Sequence, residues 1–344
     1  MTRSLPRSRR APSAKPRKST RRKPLALREH AVLTPPASGS VPVCASVGPG
    51  NELLLMWAMA YDLASATAVT VKPGGARFPD PKADRPVPAQ VSVYSGESVR
   101  EVILSGMPLA HTTIQPMPDG RILVVGARAR WHSDGPDHNA IIYGPDGNAL
   151  TQATLGDGVA HVQTTPAGYV WVGYFDEGVY GNYGWGEPGA PAPIGSSGLI
   201  RFSPDLSPDW HYGSNDDTGE DDIDDCYALN VADETAWSCY YSDFPVVRIR
   251  DGQVRGWPNS VTGVNALVAD GHHVALVGGY AADSHRITAG TLHDEEFAVT
   301  AEYELTLPDG SPVPATLAVI GRGPELHVIT ENIWYRIDLA EMIR

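Results

Sequence analysis

The chain has 344 residues, is 42% hydrophobic and 19% charged, and carries a formal net charge of -13. That length can bury a sizeable core, and the composition excludes a collagen-like chain and a coiled coil. No run approaches the roughly 18 apolar residues that a membrane-spanning helix needs.

The charge is divided unevenly. Residues 1–30 hold eleven Lys or Arg against the single acid Glu29, which leaves 16 basic and 39 acidic residues in 31–344. An acidic body disfavours nucleic acid and anionic lipid, so nucleic acid would have to engage the basic tail and no membrane partner is expected. Residues 1–27 are read as a disordered basic tail, because almost nothing in them can be buried. This tail is either a phosphate- or acid-binding arm or an over-extended start. No apolar stretch follows the basic run at 21–23, so no secretory signal is predicted. A cytoplasmic protein with reduced thiols is expected.

From residue 41 onward short β-type runs alternate with turns. Asp-Gly pairs recur at 119–120, 146–147, 157–158, 251–252, 270–271 and 309–310, each between apolar runs. No amphipathic helical pattern of three turns interrupts them. Opening strands are predicted at residues 43–47, 112–116, 161–165, 226–231, 265–269 and 316–320. Each is followed by a tight turn and a small-residue-rich apolar strand. Six such units, each about fifty residues long, predict an all-β, six-bladed β-propeller over residues 28–344. The last unit lacks a fourth strand, which residues 28–34 would supply, closing the ring.

This layout resembles six-bladed propellers of the NHL and SMP-30/gluconolactonase type across roughly residues 28–340. The resemblance implies either a ligand-binding or scaffold module, or a calcium-dependent lactonase or esterase with its metal at the top of the central channel. The lactonase pattern of a Glu, two Asn and an Asp at the channel mouth is not matched here.

In a propeller the blade-joining loops and the loops between second and third strands share one face. The long loops of this chain fall there, so a small molecule, peptide or protein is expected to bind that face. Residues 216–225 carry seven carboxylates, including Asp224 and Asp225, and read as either a solvated acidic loop or a calcium site. His111, His161, Asp225 and Asn265 precede or open successive first strands and form a candidate site for zinc or ferrous iron. The Gly- and aromatic-rich stretch 173–186 offers Tyr180, Tyr183 and Trp185 as ligand contacts. Beside them Asp176 and Glu177, with Asp243 in the next blade, are candidate acid/base carboxylates. Cys226 and Cys239 fall on consecutive strands and read as core thiols. No P-loop, Gly-x-Ser-x-Gly or His-Glu-x-x-His is present. A binding propeller is therefore the leading expectation, with a metal-dependent hydrolase or lactonase as the alternative.

Overall fold

The alternation of apolar runs and tight turns folds into six sheets arranged as propeller blades, each built on four antiparallel strands and one carrying a fifth. The computed structural model describes residues 22–213 and 222–344. From the channel outward, blade 1 is Ser40–Val47, Leu53–Met59, Lys82–Ser95 and Ser98–Leu109. Blade 2 is Thr112–Pro116, Ile122–Gly126, Ala140–Tyr143 and Ala149–Ala153. Blade 3 is Val159–Thr164, Val170–Tyr174, Leu199–Phe202 and Pro208–His211. Blade 4 is Asp225–Ala232, Thr235–Tyr241, Val246–Arg250 and Gln253–Trp257. Blade 5 is Val264–Asp270, His273–Gly278, Arg286–Leu292 and Phe297–Thr306. Blade 6 is Ala318–Arg322, Glu325–Ile329, Ile333–Asp338 and, from the other end of the chain, Arg28–Val32.

The second strands read as unbroken apolar runs because both of their faces are covered by neighbouring blades. Successive side chains point to opposite faces, so one strand feeds two interfaces. Leu54 and Met56 of blade 1 pack with Ile114, Ile122 and Val124 of blade 2. Their neighbours Leu53, Leu55 and Trp57 pack with Ile329 and Trp334 of blade 6. The buried apolar residues divide in this way into six clusters, one for each interface around the ring.

The chain start departs from the expected tail. Residues 1–21 lie outside the described residues, but Lys23–Ala26 forms a fifth strand on blade 5, parallel to Phe297–Thr306. Leu25 and Leu27 drive this, packing into the interface between blades 5 and 6. Blade 1 carries the other unforeseen feature. Between its second and third strands lie a short helix, Leu63–Ala66, and a small hairpin of Val69–Val71 with Arg77–Pro79. No helix among the described residues is long and apolar enough to cross a membrane.

Candidate functional site

The innermost strands surround a cavity of about 310 Å³ whose polar lining includes Cys44, Thr113, Gln115, His161, Gln163 and Asn265. Its lower end is plugged. Arg322, 3% exposed, donates to the carbonyls of Gly48 (3.1 Å) and Thr164 and to Gln163 Oε1 (2.8 Å). Burial pushes its guanidinium down to about 10. Gln163 Nε2 donates in turn to the carbonyls of Leu229 and Gly321, and Asn230 bridges Leu267 and Gly323. Each buried polar group in this network thus has a protein partner.

The upper end is built differently. In blades 1, 3, 4 and 5 the innermost strand is bulged near its start, leaving Val43, Ala160, Tyr227 and Asn265 between register positions. Such bulges re-aim side chains at barrel rims. Val43, Ala160 and Asn265 line the channel, while the hydroxyl of Tyr227 lies 3.3 Å from that of Tyr280.

Beside this mouth, on blades 3 to 5, is an acidic and aromatic rim. Tyr180 is exposed on the short helix Asp176–Tyr180, and its hydroxyl donates to Asp224. The second oxygen of Asp224 accepts from Ser242 Oγ at 2.9 Å. Asp225 is pushed up to about 6, first by burial and then by the charge of Asp176. Asp176 and Asp243 are both exposed. The remainder of the acidic stretch, residues 214–221, lies outside the described residues, so the calcium reading of the loop falls mostly there.

A buried ionic and aromatic cluster on this face lies over blades 1 to 3. Arg128, 3% exposed, donates to Asp157 Oδ2 at 2.9 Å and Glu177 Oε2 at 2.6 Å. Asp157 Oδ1 also accepts the backbone N–H of Ala129. Burial pushes the Asp157 carboxyl up to about 6 against the opposing pull of Arg128 and these backbone donors. The Arg128 guanidinium sits 4.4 Å from the centre of the Tyr183 ring and that of Arg130 sits 5.0 Å from it. Cations over an aromatic face are held by the ring quadrupole. Tyr183 is fixed further by its hydroxyl, which donates to the Pro79 carbonyl at 2.6 Å, and by its own carbonyl, which accepts from Trp131 N. Gly184 follows at φ +92°, where a Cβ would lie 2.8 Å from the Trp131 carbonyl oxygen. Only glycine allows these two loops to close to this distance. The result is a cleft of about 450 Å³ between the blade-1 hairpin and the loops of blades 2 and 3, lined by Lys72, Phe78, Asp80, Arg130, Trp131 and Tyr183.

Several expected site residues take other positions. Trp185 is turned inward: it is 4% exposed, its indole N–H donates to the Ala129 carbonyl at 2.8 Å, and it packs on Trp131. Glu177 is no free acid/base group, because its carboxylate is committed to Arg128. The four candidate metal ligands do not form one donor set. His161 and Asn265 line the channel, but His111 is turned away at φ +49° with Nε2 2.8 Å from the Ala68 carbonyl oxygen, and neither it nor Asp225 lines the cavity. Burial lowers the pKa of the His161 imidazole. Among the described residues no three His, Cys, Asp or Glu converge as a metal group. Among the described residues, then, His111, His161, Asp225 and Asn265 do not make a zinc or iron site. Lys72, Phe78, Arg128 and Asp157 were not singled out from the sequence. The pair Arg128 and Arg130, beside Trp131 in an acidic body, was the one available signal.

A family model described as the YxzG family matches residues 216–280, which span blade 4 and the first hairpin of blade 5. No curated protein sequence matches the chain. Among solved structures, a luciferin-regenerating enzyme is 13% identical with a TM-score of 0.44, covering 87% of this chain and 91% of that one. A catalytically inactive virginiamycin B lyase from Staphylococcus aureus, solved with quinupristin, is 10% identical with a TM-score of 0.40, covering 89% and 98%. The Pan2 WD40 domain of Neurospora crassa is 10% identical with a TM-score of 0.43, covering 87% and 91%. At these scores function has to be read from the chain's own residues.

Proposed function

We propose that this propeller is a ligand-binding protein that works through its upper face, with the cleft over blades 1 to 3 as its small-molecule site. One observation carries this reading. The exposed aromatic residues among those described are Tyr61, Phe78, Tyr180, Tyr241 and Tyr280, and all five lie in or at the start of a connection between a second and a third strand. Scattered apolar exposure is ordinary, but aromatic exposure confined to one face marks a contact surface. The cleft adds enclosure to that surface, with a volume in the range of small-molecule sites and loops anchored on a rigid ring. A reaction is not part of the proposal, since Glu177 is ion-paired and the channel lining holds no carboxylate.

The test is the binding of aromatic fragments such as indole and naphthalene derivatives, followed by calorimetry on the whole chain. Substituting Phe78→Ser together with Tyr183→Ser should abolish that binding. Ile103→Ser, at an exposed apolar residue on the outermost strand of blade 1, should leave it intact. Equal loss in both variants, or retention in both, would remove the cleft as the site.

A further inference from the structure

The charge of the cleft runs against the charge of the body, and that contrast specifies what the cleft takes. The described body is strongly acidic, yet Lys72 and Arg130 both face the cleft, with Asp80 as the one carboxylate in its lining. Asp80 Oδ1 is engaged by the hydroxyl of Thr70 at 2.8 Å. Neighbouring ion pairs are satisfied elsewhere: Lys82 holds Asp137 at 2.7 Å, and Arg128 holds Asp157 and Glu177. Among the described residues, Lys72 and Arg130 have no carboxylate within 4.0 Å. Two cations without acids, in the lining of a cleft walled by aromatic rings, lack an anionic partner.

The two cations are also placed with different rigidity. The backbone N–H of Arg130 donates to Asp137 Oδ2 at 3.0 Å, and its guanidinium lies over the Tyr183 ring. A guanidinium over an aromatic ring can still present N–H groups to a carboxylate or phosphate in a two-point contact. Lys72 stands at the end of the blade-1 hairpin, where Lys72 N and the Ala76 carbonyl close the turn at 2.9 Å. Its ammonium acts as a mobile point charge that can follow an anion without fixing its plane. Phe78, Trp131 and Tyr183 supply flat faces for a ring.

We infer that the cleft binds a planar aromatic molecule carrying an anionic group, a carboxylate or a phosphate, with the ring against Phe78, Trp131 and Tyr183 and the anion on Arg130 and Lys72. This assignment rests on the cleft being the small-molecule site proposed above.

The experiment is calorimetric titration of the full chain with four probes of one shape: 2-naphthoate, 2-naphthyl phosphate, neutral 2-naphthamide and cationic 2-naphthylmethylammonium. A charge-assisted two-point contact corresponds to about a tenfold gain in affinity. At least one anionic probe should therefore bind about tenfold more tightly than the amide, and the cation more weakly still. The stronger of the two anions identifies whether a carboxylate or a phosphate is recognised. The variant Lys72→Gln/Arg130→Gln should lose the anion preference and keep amide binding. Both residues are exposed, so the variant should fold as the parent does. Equal binding of all four probes, lost in Phe78→Ser, would overturn the anion assignment while leaving the cleft as a binding site. No binding by any probe would overturn both.

Discussion

The two ends of the central channel are made from the same six strands and solve opposite problems. At the lower end, Arg322, Gln163 and Asn230 pair with carbonyls of other blades, so closure of the ring and satisfaction of buried polar groups are the same event. At the upper end the strands are bulged, the connections are long, and polar groups are left facing solvent or a cleft. The lesson is that rigidity below permits irregularity above. Arg128 shows how the upper face still acquires order, through one buried ionic network placed under the wall that the cleft needs.

The largest effect is expected where that contrast breaks down, at Arg128. Its replacement by Met strands the buried Asp157 carboxylate and should cost about 3–5 kcal/mol in denaturant unfolding, with loss of fragment binding. Arg322→Met should cost about 3 kcal/mol by leaving the Gly48 and Thr164 carbonyls without their donor. Being at the closed end, it should leave fragment affinity unchanged in whatever fraction remains folded. A smaller change, Tyr183→Phe, removes only the bond to the Pro79 carbonyl and should cost about 1 kcal/mol. Stability and binding measured together on these three would separate the ends of the channel, and a binding loss in Arg322→Met would merge them.

The smallest effect concerns pH. Asp225 has a folded value of about 6, above its ordinary 3.8, so the folded state holds its proton longer than the unfolded state does. Its contribution favours the fold below that ordinary value and turns against it as pH rises from about 4 to about 6. Asp225→Asn should therefore stabilise the protein by about 1 kcal/mol at pH 7, after allowance for solvent screening, and have no effect at pH 3. Melting curves at the two pH values check the sign. Stabilisation confined to low pH would contradict the assigned cause.

The repeat was legible in the sequence because each second strand had to be apolar on both faces, and that run recurs with a fixed turn chemistry. What escaped depends on contacts between distant segments. Lys23–Ala26 reads as part of a basic tail until blade 5 offers a place for Leu25. The Asp157-Gly158 pair reads as one more turn, yet Asp157 is buried under Arg128, and Gly158 at φ +70° lies too close to Gly178 for a Cβ. Tyr183 and Trp185 look interchangeable two residues apart. Their opposite fates are set by Arg128, which lies over Tyr183, and by the Ala129 carbonyl, which draws Trp185 inward. His111 looks like a channel ligand until the blade-1 insertion presents the Ala68 carbonyl to it. The cleft itself joins residues of three blades, and no local pattern announces such a meeting.

The most direct test of the central claim is to follow the indole N–H resonances of the eight tryptophans while 2-naphthoate is added. Binding in the cleft should shift Trp131, which lines it, and Trp185, which packs behind it, while Trp237 and Trp257 in the interface between blades 4 and 5 stay fixed. Shifts at Trp237 or Trp257 with Trp131 unmoved would contradict it.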